Sequence, residues 1–128
     1  MNAATDPQPA PREVTMTLEE ALAYAVRHHQ AGELDEAQTI YEAVLQRQPD
    51  RVDVLNWLGI LRHQRGDIAG AVAVMQRVVE LQPQADGAWN NLGNVLLRLE
   101  RMDEAREAFK RSLELAPSPQ AWSNVARI

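Results

Sequence analysis

A period of 34 residues runs through this chain and restricts it to a repeat architecture. Ala37, Ala71 and Ala105 lie 34 apart, and so do Tyr41, Met75 and Phe109, then Leu45, Val79 and Leu113, then Pro49, Pro83 and Pro117. Columns in such register mark stacked units, none of which buries its apolar face alone. The second half of each unit carries one stripe: Ala37, Ile40, Tyr41, Val44, Leu45, then Ala71, Val74, Met75, Val78, Val79, then Ala105, Ala108, Phe109, Ser112, Leu113. Positions i, i+3, i+4, i+7 and i+8 form one face of an α-helix. The first halves repeat as well, at Ala21, Leu55 and Trp89, at Tyr24, Leu58 and Leu92, and at Ala25, Gly59 and Gly93. Each unit is therefore a helix pair.

Punctuation supports the pairs. Gly32 and Gly66 stand between the helices of the first two pairs, where a positive φ ends one helix and turns the chain, while Glu100 holds that place in the third. A proline follows each second helix. Asp50, Asp86 and Ser118 are expected to cap the next first helices, with Pro119 at a first helical position. Thr17 and Glu20 form a capping box at the start. The small column Ala25, Gly59, Gly93 faces the Ala37, Ala71, Ala105 column, and Tyr41, Met75 and Phe109 fill the space beside it.

The expected organisation is a lead-in over 1–16, disordered on account of Pro7, Pro9 and Pro11, and a helical domain over 17–128. The domain divides into repeats at 18–51, 52–85 and 86–119, with a partial fourth at 120–128 whose Ala121 and Trp122 echo Ala88 and Trp89. That last segment reads either as a cap or as the opening of a chain that continues past Ile128.

Composition excludes several functions. Without cysteine, disulfide scaffolds, thiolate zinc sites, thiol nucleophiles and iron–sulfur clusters are ruled out. A net charge of −5 opposes binding to nucleic acid or to an anionic membrane, both of which need clustered cations. No secretory leader and no apolar run of membrane-spanning length is present, so the expected setting is cytoplasmic. His29 and His63 sit 34 apart without a convergent third ligand, so neither a metal nor a cofactor is expected. The chain has no phosphate loop, no G-x-S-x-G and no H-E-x-x-H, so no catalysis is expected. Arg106, Lys110 and Arg111 alternate with Glu104, Glu107 and Glu114 and read as a solvated face.

These columns resemble the tetratricopeptide repeat (TPR) family, whose pattern is W-x₂-L-G-x₂-Y, A-x₃-F and P. Repeat three carries it at Trp89, Leu92, Gly93, Ala105, Phe109 and Pro117, with Leu96 in the tyrosine position. Repeat two keeps Leu58, Gly59, Ala71 and Pro83, and repeat one keeps Tyr24, Ala37, Tyr41 and Pro49. The resemblance implies an all-α, right-handed α-solenoid of antiparallel helix pairs, three repeats plus one extra helix. It further implies that the first helices line a concave groove for a peptide or partner protein. The groove residues it implies are Asn56, Trp57, Ile60 and His63 in repeat two, Asn90, Asn91, Asn94 and Arg98 in repeat three, and Asn124 and Arg127 beyond. Asn91 and Asn124 are the amides singled out for contact with a peptide backbone, and Trp57 is an apolar anchor or a core residue.

The chaperone-tail clamp known among TPR proteins is not expected, because Leu22, Val26, Trp57, Gly87 and Asn91 occupy its positions. A second likeness is to the TPR arms of O-linked N-acetylglucosamine transferases and bacterial relatives, through Asn91-Leu92-Gly93 and Asn124-Val125-Ala126. It leaves open the alternative of a substrate-binding arm of a larger enzyme such as a glycosyltransferase. Self-assembly as a homo-oligomer through the C-terminal helix is the remaining alternative.

Overall fold

Thr17 starts the first helix as its sequence demands. Its hydroxyl accepts from the Glu20 N–H at 3.0 Å, and the Glu20 carboxylate accepts from the Thr17 N–H at 3.0 Å. A computed structural model of the chain describes residues 16–126. Among them it contains helices α1 Leu18–Gln30, α2 Leu34–Arg47, α3 Val52–Gln64, α4 Ile68–Leu81, α5 Asp86–Arg98, α6 Met102–Leu115 and α7 Pro119–Ala126, and no strand. The helices pack as three antiparallel pairs in a right-handed α-solenoid, with α7 against α6 as one extra helix. The expected disorder of 1–16 falls almost wholly outside the described residues.

The turns inside the pairs share one design. Gly32 and Gly66 each adopt a φ of +85°, and Glu100 takes the same left-handed region at 59° without being a glycine. In each turn the N–H three residues past the helix end reaches back: Glu33 to His28 O at 2.8 Å, Asp67 to Arg62 O at 2.9 Å, Arg101 to Leu96 O at 3.0 Å. These bonds satisfy last-turn carbonyls and fix the reversal.

The expected caps between pairs are partly corrected. Ser118 behaves as expected, accepting from the Ala121 N–H at 3.0 Å ahead of Pro119. Asp50 does not cap α3. Its N-cap is Arg51, and Asp50 pairs instead with Arg77 at 2.5 Å. Asp86 lies inside α5, whose N-cap is Ala85. Both turns have one length, with the N-cap two residues after the proline, so Asp50 falls one residue short of the cap and Asp86 one residue past it; each turn is closed by a backbone bond, Arg51 N–H to Gln48 O at 3.2 Å and Ala85 N–H to Gln82 O at 3.1 Å. Asp67, which sequence reading did not assign, caps α4 through the Gly70 N–H at 3.0 Å.

The core is the predicted set of stripes. Ala25, Ala37, Ala71 and Ala105 are completely buried, as are Tyr41 and Phe109. The small column matters most at Gly93, where a Cβ would lie 2.6 Å from the Phe109 ring; at Gly59 it would lie 3.0 Å from Met75. Two backbones thus approach closely with one large side chain wedged beside them. The outer strip of α6 is charge-paired, Lys110 with Glu107 and Arg111 with Glu114 as expected, but Arg106 with Asp103, because Glu104 is taken by Arg101. Such exposed pairs contribute about 0–1 kcal/mol each, so burial rather than charge holds the stack.

Candidate functional site

The first helix of each pair lies beside the first helix of the next, and a side-chain polar bond from helix to helix crosses every junction. From α1 to α3, His29 Nε2 meets Gln64 Oε1 at 2.6 Å. From α3 to α5, Arg98 Nη1 donates to His63 Nε2 at 2.9 Å. From α5 to α7, Asn124 Nδ2 donates to Asn90 Oδ1 at 2.6 Å. These rungs define one face running along α1, α3, α5 and α7.

His29 and His63 do not meet each other. Each pairs with a residue 35 positions on, so the contact is offset by one residue from the sequence period.

The first rung is sealed. His29 is 5% exposed, its Nδ1 lies 2.9 Å from the Tyr41 hydroxyl, and the Trp57 ring meets it edge-on at 5.3 Å. Gln64 Oε1 can only accept, so Nε2 carries the proton and Nδ1 accepts from Tyr41. Burial pushes the Tyr41 hydroxyl up to about 12, which keeps it a donor across the working pH range.

The second rung is open. Arg98 is exposed and His63 half-buried. A guanidinium only donates, so His63 Nε2 accepts and the ring is neutral there. Burial, and then the positive charge of Arg98, hold the His63 pKa below its ordinary value. Sequence reading placed both residues in the groove but did not foresee the bond between them.

The remaining groove residues separate by burial. Trp57 and Ile60 are half-buried with one side packed on the core. Asn56, Asn91 and Asn94 are half-buried. No side-chain hydrogen bond joins any of the three to another described residue. Asn124 is 2% exposed, so it serves the junction with Asn90 and has almost no surface to offer a ligand. Arg127 lies outside the described residues. Signals that point to the junction roles are the 34-residue spacing of Asn90 and Asn124 and the near-equivalent spacing of His29 and Gln64.

Larger concavities lie elsewhere. One of about 430 Å³ surrounds the α1–α2 turn at Gly32, Glu33 and Arg65. Another of about 310 Å³ sits between α4, α5 and α6 over Trp89, Leu92 and Leu96. A face that holds an extended chain is shallow by nature, so volume does not select it. Among the described residues no group of three or more His, Asp and Glu is placed to hold a metal, and no helix is long and apolar enough to cross a membrane.

Comparison with known proteins agrees with this architecture. The tetratricopeptide repeat model matches residues 18–86 and 64–121. No curated protein matches the sequence. Among solved structures, MamA MSR-1 superimposes with a TM-score of 0.78 at 27% identity over 88% of this chain and 65% of that one. The Thermobaculum terrenum O-GlcNAc transferase, as a mutant, gives 0.74 at 26% identity over 88% of this chain and 22% of that one. The first TPR of Spaghetti (RPAP3), bound to an HSP90 peptide, gives 0.79 at 19% identity over 86% and 88%, a likeness of fold alone. The chain thus spans less than two thirds of the length of the MamA structure.

Proposed function

The chain belongs to the tetratricopeptide repeat family, and on that premise we propose that the face formed by α1, α3, α5 and α7 binds an extended segment of a partner protein, without catalysis of its own. The observation that carries this reading is the set of Asn56, Asn91 and Asn94, half-buried amides without a side-chain bond to another described residue, beside the half-buried Trp57 and Ile60. Each free amide offers a donor and an acceptor to a peptide backbone whatever its side chains. Trp57 and Ile60 supply the apolar contact that gives such binding its affinity. The acidic, cysteine-free composition suits a cytoplasmic setting.

The test is a peptide selected from a random library, then titrated calorimetrically against the chain and against Asn91→Ala/Asn94→Ala. Two lost hydrogen bonds predict roughly tenfold weaker binding, with an unchanged melting curve because both residues are partly exposed. Unchanged affinity overturns the reading. Asn124→Ala is a poor probe, since it removes a buried junction bond.

A second reading is favoured by the 26% identity to the Thermobaculum terrenum transferase, of which the matched region is 22%. In it these repeats are the substrate arm of a larger enzyme. An antibody raised against this chain and used on source-cell extract separates the two. A band near 14.3 kDa supports the free module and a much larger one supports the arm.

A further inference from the structure

Each rung between first helices takes its acceptor from α3 or α5. His63 Nε2, Gln64 Oε1 and Asn90 Oδ1 are the acceptors that each junction engages. Their opposite sides are donors: the remaining Arg98 N–H groups, Gln64 Nε2 and Asn90 Nδ2, none of which meets another described residue. The junctions thus leave unused N–H donors at Arg98, Gln64 and Asn90 on this face.

Charge singles out one of these donors. Arg51, Arg62, Arg65 and Arg77 each hold a carboxylate of the chain. Arg98 holds only an imidazole. A guanidinium presents five donors in a planar fork matched to a carboxylate, and one bond to His63 leaves most of that fork unused. Asn94 precedes Arg98 by one helical turn on the same face. At the other end of α1 and α3, Glu19 and Asp53 are already neutralised by Arg51 at 2.7 and 2.9 Å.

We infer that Arg98, flanked by Gln64 and Asn94, is a subsite for the side-chain carboxylate of an Asp or Glu within the bound segment. The inference rests on the peptide-groove reading above and names the chemistry that groove selects.

The test uses the full chain, fluorescently labelled, on arrays of short peptides acetylated at one end and amidated at the other, alongside Arg98→Gln and Arg98→Lys. The expected result is an Asp or Glu preference at one position. Replacing that residue by Asn or Gln weakens binding roughly tenfold for the unmodified chain and hardly at all for Arg98→Gln, with Arg98→Lys in between and all melting curves alike. Binding without an acidic preference, or one that persists in Arg98→Gln, overturns the carboxylate subsite and leaves the groove standing. A preference found only on a parallel array with free C-terminal carboxylates overturns the side-chain assignment. Binding to no peptide on either array overturns both the subsite and the groove.

Discussion

His29 and His63 hold the same place in successive repeats, and each joins its first helix to the next, yet the two junctions have opposite characters. At the first, both ring nitrogens are engaged, by Tyr41 and Gln64, and the imidazole is 5% exposed. At the second, one ring nitrogen takes a bond from an exposed arginine and the imidazole is half-buried. What differs is the neighbourhood. Tyr41 sits behind His29, where the same column of repeat two holds Met75, which offers no hydroxyl. A hydroxyl in the core column turns the histidine inward into a closed network; a thioether leaves it at the surface. The same position thus acts as adhesive in one junction and as a reachable polar group in the next.

Breaking the closed junction has the largest effect. Tyr41→Phe keeps the buried ring but leaves His29 Nδ1 without its donor, a cost of about 1–3 kcal/mol, read from urea unfolding at neutral pH. Loss below about 0.5 kcal/mol shows that the network does not hold the junction.

Acid sharpens the contrast through the open junction. The folded-state pKa of His63 lies below its ordinary 6.5, so the unfolded chain takes up the proton first as pH falls. The His63 contribution is complete above that value and is lost progressively below it. His63→Gln therefore flattens the pH dependence of stability on the acid side of neutrality. Arg98→Gln flattens it partly, because burial remains the larger cause. A profile unaltered by either substitution contradicts the account.

The smallest effect belongs to Arg98→Gln at neutral pH, expected within about 0.5 kcal/mol of the parent, since the residue is exposed and has no carboxylate partner among the described residues. A larger loss makes the second junction structural too.

The fold was legible because the period is strict: helices α1, α3 and α5, starting at Leu18, Val52 and Asp86, repeat every 34 residues, and so do α2, α4 and α6, starting at Leu34, Ile68 and Met102. The close approach at Gly93 followed from a glycine facing a large aromatic column. The site was less legible. Equal spacing identifies equivalent positions, but the twist between repeats decides which side chains touch, and here it offsets His29 and His63 by one residue onto Gln64 and Arg98. Asn124 illustrates the same limit, since an amide on a first helix reads as groove-facing until its 2.6 Å bond to Asn90 turns it into a junction. The caps failed at Asp50 and Asp86 because the turn after each proline has one length, which puts the N-cap at Arg51 and at Ala85, one residue after Asp50 and one before Asp86.

The most direct test compares the urea unfolding of His29→Ala and His63→Ala side by side. His29→Ala opens a cavity and strands the buried Tyr41 hydroxyl, so the account predicts a loss of about 2–4 kcal/mol. For His63→Ala it predicts less than about 1 kcal/mol. Equal losses, or a larger one for His63→Ala, contradict the division between a closed junction that stabilises the stack and an open one that contributes little to it.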